Sequence, residues 1–434
     1  MSAPRDVVIV GASLAGLRAA EALREGGYAG RLTLVGDEPH APYDRPPLSK
    51  QVLSGWVRPQ ETFLPRLQPL AAAWRLGVAA ARLDRAARRV DLADGTALDY
   101  DRLIIATGTR PRPWPVEAEA GLGGMHLLRT LDHAAALTAA LEARPSRVLV
   151  IGAGFTGSEV ASACRDRGIE VTVVEQGSTP LSAALGPVVG GHAAILQRRA
   201  GVDLRCGVSV ASLFGDVQGR VRGARLSDGN VVEADVVVAC LGAVRNTEWL
   251  AGSGVQAGPA GVPCDVACRA LSDDGAPTDD IFVCGDVSHF HHPLAGERRI
   301  ALEHWGNAID QARVAAANLL RPGSATNATA LPAFWSMQFG ANFKSLGLPS
   351  HGEQVMIVQG ALETGRFVAA YGRGGRIVGA IAVNQAQWLP FYEQQILAGA
   401  AFPPDWRVVD QPQDATPQPA GFPGATPRVA TARA

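Results

Sequence analysis

The feature that most restricts this chain is a unit that occurs twice: an apolar strand, a glycine-rich turn, a helix, a second strand and an acid. The first copy runs from Asp6-Val7-Val8-Ile9-Val10 into Gly11-Ala12-Ser13-Leu14-Ala15-Gly16, and then from Arg31 through Val35 to Gly36-Asp37-Glu38. The second runs from Arg147 to Ile151, into Gly152-Ala153-Gly154-Phe155-Thr156-Gly157-Ser158-Glu159, and then from Glu170 through Val174 to Glu175. Short, continuous apolar strands predict burial on both faces, as in a parallel sheet. The first glycine of each turn lets the chain reverse tightly, and the last lets helix and strand pack closely. The helix start offers free N–H groups and a partial positive charge to a pyrophosphate. The acid accepts from a ribose hydroxyl; Asp37 stands 26 residues after Gly11, and Glu175 stands 23 after Gly152. Ser13 replaces the middle glycine of the first copy. Two such units predict an α/β chain with two dinucleotide-binding domains.

Composition narrows the class. In 434 residues, 40 Lys and Arg balance 41 Asp and Glu, which disfavours a nucleic-acid binder. An apolar fraction of 47% supplies ample core. No run of about 18 apolar residues predicts a membrane span, and the apolar stretch Val7–Leu17, preceded by Arg5 and Asp6, lacks the pattern of a secretory leader. Six scattered cysteines fit no disulfide scaffold and point to a reducing cytoplasm.

Between and after the two units stand Tyr100 to Arg110, containing Ala106-Thr107-Gly108, and Asp280 to Val287, containing Gly285-Asp286. These resemble the ATG and terminal GD motifs of flavoprotein reductases that bind two dinucleotides. Pro42-Tyr43-Asp44-Arg45-Pro46-Pro47-Leu48-Ser49-Lys50, the Arg129-Thr130 segment, Glu303-His304-Trp305-Gly306-Asn307 through Gln311, and Phe334-Trp335-Ser336-Met337-Gln338 narrow the resemblance. They resemble the FAD-dependent ferredoxin reductases of the putidaredoxin reductase and biphenyl dioxygenase reductase type, which serve cytochromes P450 and Rieske oxygenases. The likeness runs from Val7 to about Val408.

That resemblance implies two Rossmann-like domains of the glutathione-reductase kind and an α+β C-terminal domain. It implies FAD in the first site and NADH in the second. Gly11, Ser13, Leu14, Ala15, Gly16, Asp37, Glu38, Arg45, Ala80, Ala106, Thr107, Gly108 and Arg129 would contact FAD, as would Gly285, Glu303, His304 and Trp305; Gly242 would also bind cofactor. Asp286 would bond the ribityl chain. Lys50 would lie beside the isoalloxazine, its ammonium stabilising reduced, anionic flavin. Gly152, Gly154, Phe155, Thr156, Gly157, Glu159 and Glu175 would receive the nicotinamide cofactor, and Lys50, Glu159 and Trp335 would carry the catalytic roles. Trp335 reads equally well as a flavin neighbour or a core aromatic. Two departures stand out: Met337 replaces the family's usual acid, and Gly242-Ala243-Val244-Arg245-Asn246 lacks its usual proline. Glu175 favours NADH, because its carboxylate repels the extra phosphate of NADPH and Gln176-Gly177 offer no arginine to neutralise it.

Relatives of this architecture that reduce disulfides use a cysteine near the flavin, but no cysteine precedes Cys164, and Cys164 lacks a Cys-x-x-Cys partner. Electrons would then leave the flavin directly, for a ferredoxin and through it an oxygenase. A rubredoxin or quinone acceptor is the alternative within this class; an NADH-sensing flavoprotein with a signalling role is the alternative outside it. Neither Cys264/Cys268 nor His289-Phe290-His291-His292 carries metal-site spacing, so no metal is expected. Arg298, Arg299, Arg313 and Lys344 are candidates to meet an acidic partner. The expected domains are 1–111 with 243–322 for FAD, 112–242 for NAD, 323–410 as a C-terminal cap and 411–434 as a disordered tail.

Overall fold

A computed structural model describes residues 4–321, 326–408, 410–412 and 415–422. The chain divides into two compact units, each assembled from three stretches: 1–48, 57–112 and 242–334 in the first, and 49–56, 113–241 and 335–434 in the second.

In the first unit, Asp6–Val10 lies between Arg31–Gly36 and Arg102–Ile105, all parallel. Ala73–Leu76 extends one side and Pro277–Val283 the other, again parallel. Ile9, Leu34 and Ile104 lose all exposure. The helices Leu14–Glu25 and Trp305–Leu320 share one core through Leu17, Ala20 and Leu23 on one and Ala312, Ala315 and Leu319 on the other. Alanines at these contacts let the helices approach closely, and truncating a residue such as Leu17 would cost about 2–5 kcal/mol. Thr109–Pro111 pairs antiparallel with Ala243–Arg245, so the chain leaves this unit and returns to it at one place.

The second unit holds a parallel sheet in the order Asp203–Cys206, Glu170–Glu175, Arg147–Ile151, Val236–Ala239 and Met125–His126. It also holds a six-stranded sheet in which Gln354–Ala361, Arg366–Arg373 and Arg376–Val383 form an antiparallel meander. The last meander turn uses Gly374 and Gly375, both with positive φ. The helix Ser182–Arg199 ties the two sheets together. It breaks at Gly186 and Pro187, and the freed carbonyl of Leu185 accepts from the Tyr371 hydroxyl at 2.6 Å.

The structure departs from the sequence expectation in three places. Residues 113–241 and 335–434, expected as separate domains, fall in one unit. Ser49–Trp56 joins the second unit, partly because Arg167 Nε donates to the Leu53 carbonyl. The tail is also not wholly disordered. Gln418–Pro419 pairs with Gln354 and Val355, Ala420 is buried, and its carbonyl lies where a side chain at Gly186 would stand. Composition pointed to disorder, but an open strand edge and a notch at Gly186 give this segment partners. Residues 423–434 lie outside the described residues.

Candidate nucleotide sites

Both glycine turns are required by the protein's own packing at their first and last positions. Gly11 has φ +117°, and a Cβ there would sit 2.0 Å from the Ala106 carbonyl oxygen; Gly152 has φ +96° and would meet the Cys240 oxygen at 2.5 Å. A Cβ at Gly16 would fall 1.8 Å from the Gly11 oxygen, and one at Gly157 1.9 Å from the Gly152 oxygen. The middle positions differ in kind. Ser13 caps its helix without a side-chain hydrogen bond, and a Cβ at Gly154 would meet no protein atom within 4 Å. Neither the helix starting at Leu14 nor that starting at Phe155 has a capping side chain or an acid in its first turn. Helix starts ordinarily recruit such a cap, and an end that lacks one presents a positive charge suited to an anion such as a pyrophosphate.

The different acid spacings have a structural reason. The two helices begin and end at equivalent positions, but five residues join the first to its strand and three join the second. At the strand end, Gly36 occupies the place of Glu175, where a Cβ would stand 2.7 Å from the Cβ of Ala12. The first acid is therefore displaced one residue further, to exposed Asp37. Glu175 stays at the loop: Oε2 accepts from Ala153 N and Oε1 from Gly177 N, each at 2.6 Å.

Around Gly285 the first unit gathers the other residues expected at the flavin. Gly285 has φ +79°, and its backbone passes Ala15 so closely that a Cβ would lie 2.9 Å from that side chain. Gln311 Oε1 accepts from Gly285 N at 2.9 Å and from Ser288 Oγ at 2.8 Å. Half-buried Asp286 faces the charge of Arg45 and the imidazole of His304. Arg45 pairs with Glu38 at 2.6 Å, and Glu38 also accepts from the Tyr43 hydroxyl. Trp305 Nε1 donates to Asp44 Oδ1 at 2.9 Å, and Glu303 pairs with Arg245 at 3.2 Å. Thr107 and Asn246 exchange two 2.8 Å bonds, which fix the Ala106-Thr107-Gly108 turn against the returning chain near Gly242. Ala80 lies apart, at the start of a strand in a separate three-stranded meander.

Two buried side-chain atoms at the start of the helix Trp305–Leu320, His304 Nδ1 and Asn307 Nδ2, have no hydrogen-bond partner in the described structure. Such atoms are costly without a ligand, and together with the uncapped Leu14 helix they fit a polar cofactor such as FAD. Burial pushes His304 down to about 4, against the opposing pull of Asp286. Folded His304 is thus neutral where an unfolded histidine, near 6.5, takes up a proton. Its contribution to stability is complete above pH 6.5 and is lost as pH falls toward 4. The unfolding midpoint is expected to fall across that window less steeply in His304→Gln than in the wild type. Equal slopes would remove His304 from the acid response.

In the second unit, Glu159 is buried on the helix Phe155–Asp166. Its Oε2 accepts from Lys50 Nζ at 2.8 Å and Ser49 Oγ at 2.5 Å, and its Oε1 from Ser336 Oγ at 2.6 Å. Arg129 is half-buried just before the Thr130-capped helix Leu131–Glu142. Trp335 is 44% exposed, which rules out its reading as a core aromatic.

All six cysteines are free, and four are fully buried in the core. Burial pushes the thiols of Cys164, Cys240 and Cys284 up to about 12 and raises those of Cys264 and Cys268 further. None is poised as a nucleophile. Among the described residues, no group of three or more His, Cys, Asp or Glu is placed to hold a metal. Gln311, Asn307 and Ser336 stand within the motifs that carry the resemblance, but sequence reasoning gave none of them a role of its own. The signal for Gln311 was a polar residue at core spacing in an alanine-rich helix.

The family model described as pyridine nucleotide-disulphide oxidoreductase matches residues 5–313, and that described as reductase C-terminal matches residues 333–414. The chain belongs to the pyridine nucleotide-disulphide oxidoreductase family. Members similar to it include rhodocoxin reductase of Rhodococcus erythropolis, 38% identical over 388 residues, covering 88% of this chain and 86% of that protein. The ferredoxin–NAD(+) reductase component of the anthranilate 1,2-dioxygenase system of Burkholderia cepacia is 38% identical over 404 residues, covering 91% and 94%. Among solved structures of the family, the covalent putidaredoxin reductase–putidaredoxin complex matches with a TM-score of 0.85 at 33% identity, covering 92% of this chain and 94% of that one.

Proposed function

We propose that this chain is an NADH-dependent, FAD-containing ferredoxin reductase whose ferredoxin serves a cytochrome P450 or Rieske-type oxygenase. The observation that carries this reading is the near full-length likeness to reductases named for ferredoxin and oxygenase systems. The geometry supports it with two uncapped, glycine-bound helix starts, one per dinucleotide. FAD, when bound, accepts a hydride and passes electrons on singly. The protein's share is to bind and orient: Asp286, Arg45 and the start of the helix Trp305–Leu320 at the flavin, and Gly154 and Glu175 at the nicotinamide cofactor. Glu175, already holding the loop, presents a carboxylate rather than an arginine to the adenosine ribose, which favours NADH. Buried, unactivated thiols support direct departure of electrons from the flavin. Free cysteines are in keeping with the cytoplasm, and among the described residues no helix is long and apolar enough to cross a membrane.

Anaerobic stopped-flow absorbance tests the reading. NADH is expected to bleach the flavin with a higher kcat/KM than NADPH, and a [2Fe–2S] ferredoxin to reoxidise it rapidly. Reoxidation by rubredoxin or quinone alone would move the protein to another acceptor. A long-lived complex with NAD and no competent protein acceptor would make it a sensor.

A further inference from the structure

Ser336 belongs to neither nucleotide motif, yet it donates to Glu159 alongside Ser49 and Lys50. It lies in the strand Ala333–Gln338, where side chains alternate. Trp335 and Met337 are exposed, whereas Ser336 and Gln338 are buried at 0% and 2%. Gln338 Nε2 donates to Ser336 Oγ at 3.1 Å. A hydroxyl has a single hydrogen, so with its oxygen accepting from the amide, that hydrogen is directed at Glu159 Oε1, 2.6 Å away. Phe339 N donates to Ser162 Oγ at 2.7 Å and pins the end of the strand to the helix that carries Glu159.

The two carboxylate oxygens have separate duties. Oε2 holds Lys50 and Ser49, while Oε1 is held by Ser336. With Oε1 fixed, the carboxylate cannot turn about its terminal bond without breaking a charge-assisted hydrogen bond. We propose that Ser336 is a positioning residue: by anchoring Oε1 it keeps Glu159 on Lys50 and so sets how much of the lysine's positive charge is left uncompensated for the flavin. This rests on the reading of Lys50 as the cation beside FAD.

Spectroelectrochemical titration of the FAD-loaded protein, with neither NADH nor ferredoxin present, reads the effect. In Ser336→Ala, Glu159 holds Lys50 less firmly, and the freer ammonium favours reduced, anionic flavin. The midpoint potential is expected to rise by about 30 mV, a tenfold shift in the ratio of reduced to oxidised flavin for a two-electron couple. Glu159→Gln should raise it at least as far. The double variant should match Glu159→Gln alone, because Ser336 acts only through that carboxylate. Ser336→Thr, which keeps the hydroxyl, should return the wild-type value. An unchanged or lowered potential in Ser336→Ala, or a shift that adds in full to that of Glu159→Gln, overturns the proposal. Failure of NADH to bleach the wild-type flavin would overturn the reductase reading instead, and the titration would still decide the role of Ser336.

Discussion

Gly154→Ala is expected to fold and load FAD as the wild type does while its KM for NADH rises by about tenfold or more; Gly157→Ala is expected to lose the fold. The two glycines stand three residues apart in one motif, and local packing separates them. Gly154 has φ −68° and ψ −173°, an extended conformation open to alanine, and an added Cβ meets no protein atom within 4 Å. The protein therefore gains slightly from alanine there, because the unfolded chain loses freedom. What the methyl obstructs is a pyrophosphate approaching the backbone. At Gly157 the added carbon lies 1.9 Å from the Gly152 oxygen, a backbone atom that cannot move without opening the turn, so a loss of more than about 3 kcal/mol follows. Thermal unfolding and NADH titration separate the cases. A wild-type KM in Gly154→Ala would place the cofactor elsewhere.

Lys50→Met is expected to destabilise the protein by about 3–5 kcal/mol, and adding Glu159→Gln should recover most of that loss. The side chains of Lys50 and Glu159 are only 13% and 6% exposed, so the pair is effectively buried. Removing the cation leaves a desolvated carboxylate that keeps its bonds from Ser49 and Ser336 but loses its counter-charge, and an uncompensated buried charge costs more than the pair was worth. A neutral amide at 159 removes that charge while still accepting from a serine. Urea unfolding of the single and double variants measures the coupling. If the double variant were no more stable than Lys50→Met, the cost would lie in lost lysine packing.

The nucleotide loops were legible in the sequence because their requirements are local. A glycine with positive φ, a close carbonyl and a helix start all lie within a few residues of one another, so spacing alone conveys them. The unequal acid spacing was visible as a number but not as a cause, since it combines a longer helix-to-strand connection with the close approach of Gly36 to Ala12 in the glycine turn. Ser336 was beyond reach for a related reason. Strand alternation turns it inward, but nothing nearby says that a carboxylate 177 positions earlier receives its hydrogen. The segment 415–422 misled because composition reports the average cost of ordering a chain, whereas its order comes from the edge of Gln354–Ala361 and the break at Gly186.

The interleaving of the two units also bears on how the protein is born. Arg102–Ile105 emerges from the ribosome before 113–241 of the second unit, with Leu103, Ile104 and Ile105 destined for complete burial. Its neighbour on one side, Asp6–Val10, already exists, but Pro277–Val283 on the other is made only after all of 113–241. At about 5–20 residues per second, that edge stays open for roughly ten to thirty seconds of synthesis. Asp286 follows directly on the late strand, so FAD can be gripped only when about two-thirds of the chain has been translated. Overproduction that outruns the flavin supply should therefore leave a growing chain with a bare hydrophobic edge, and conditions that slow elongation should favour loading.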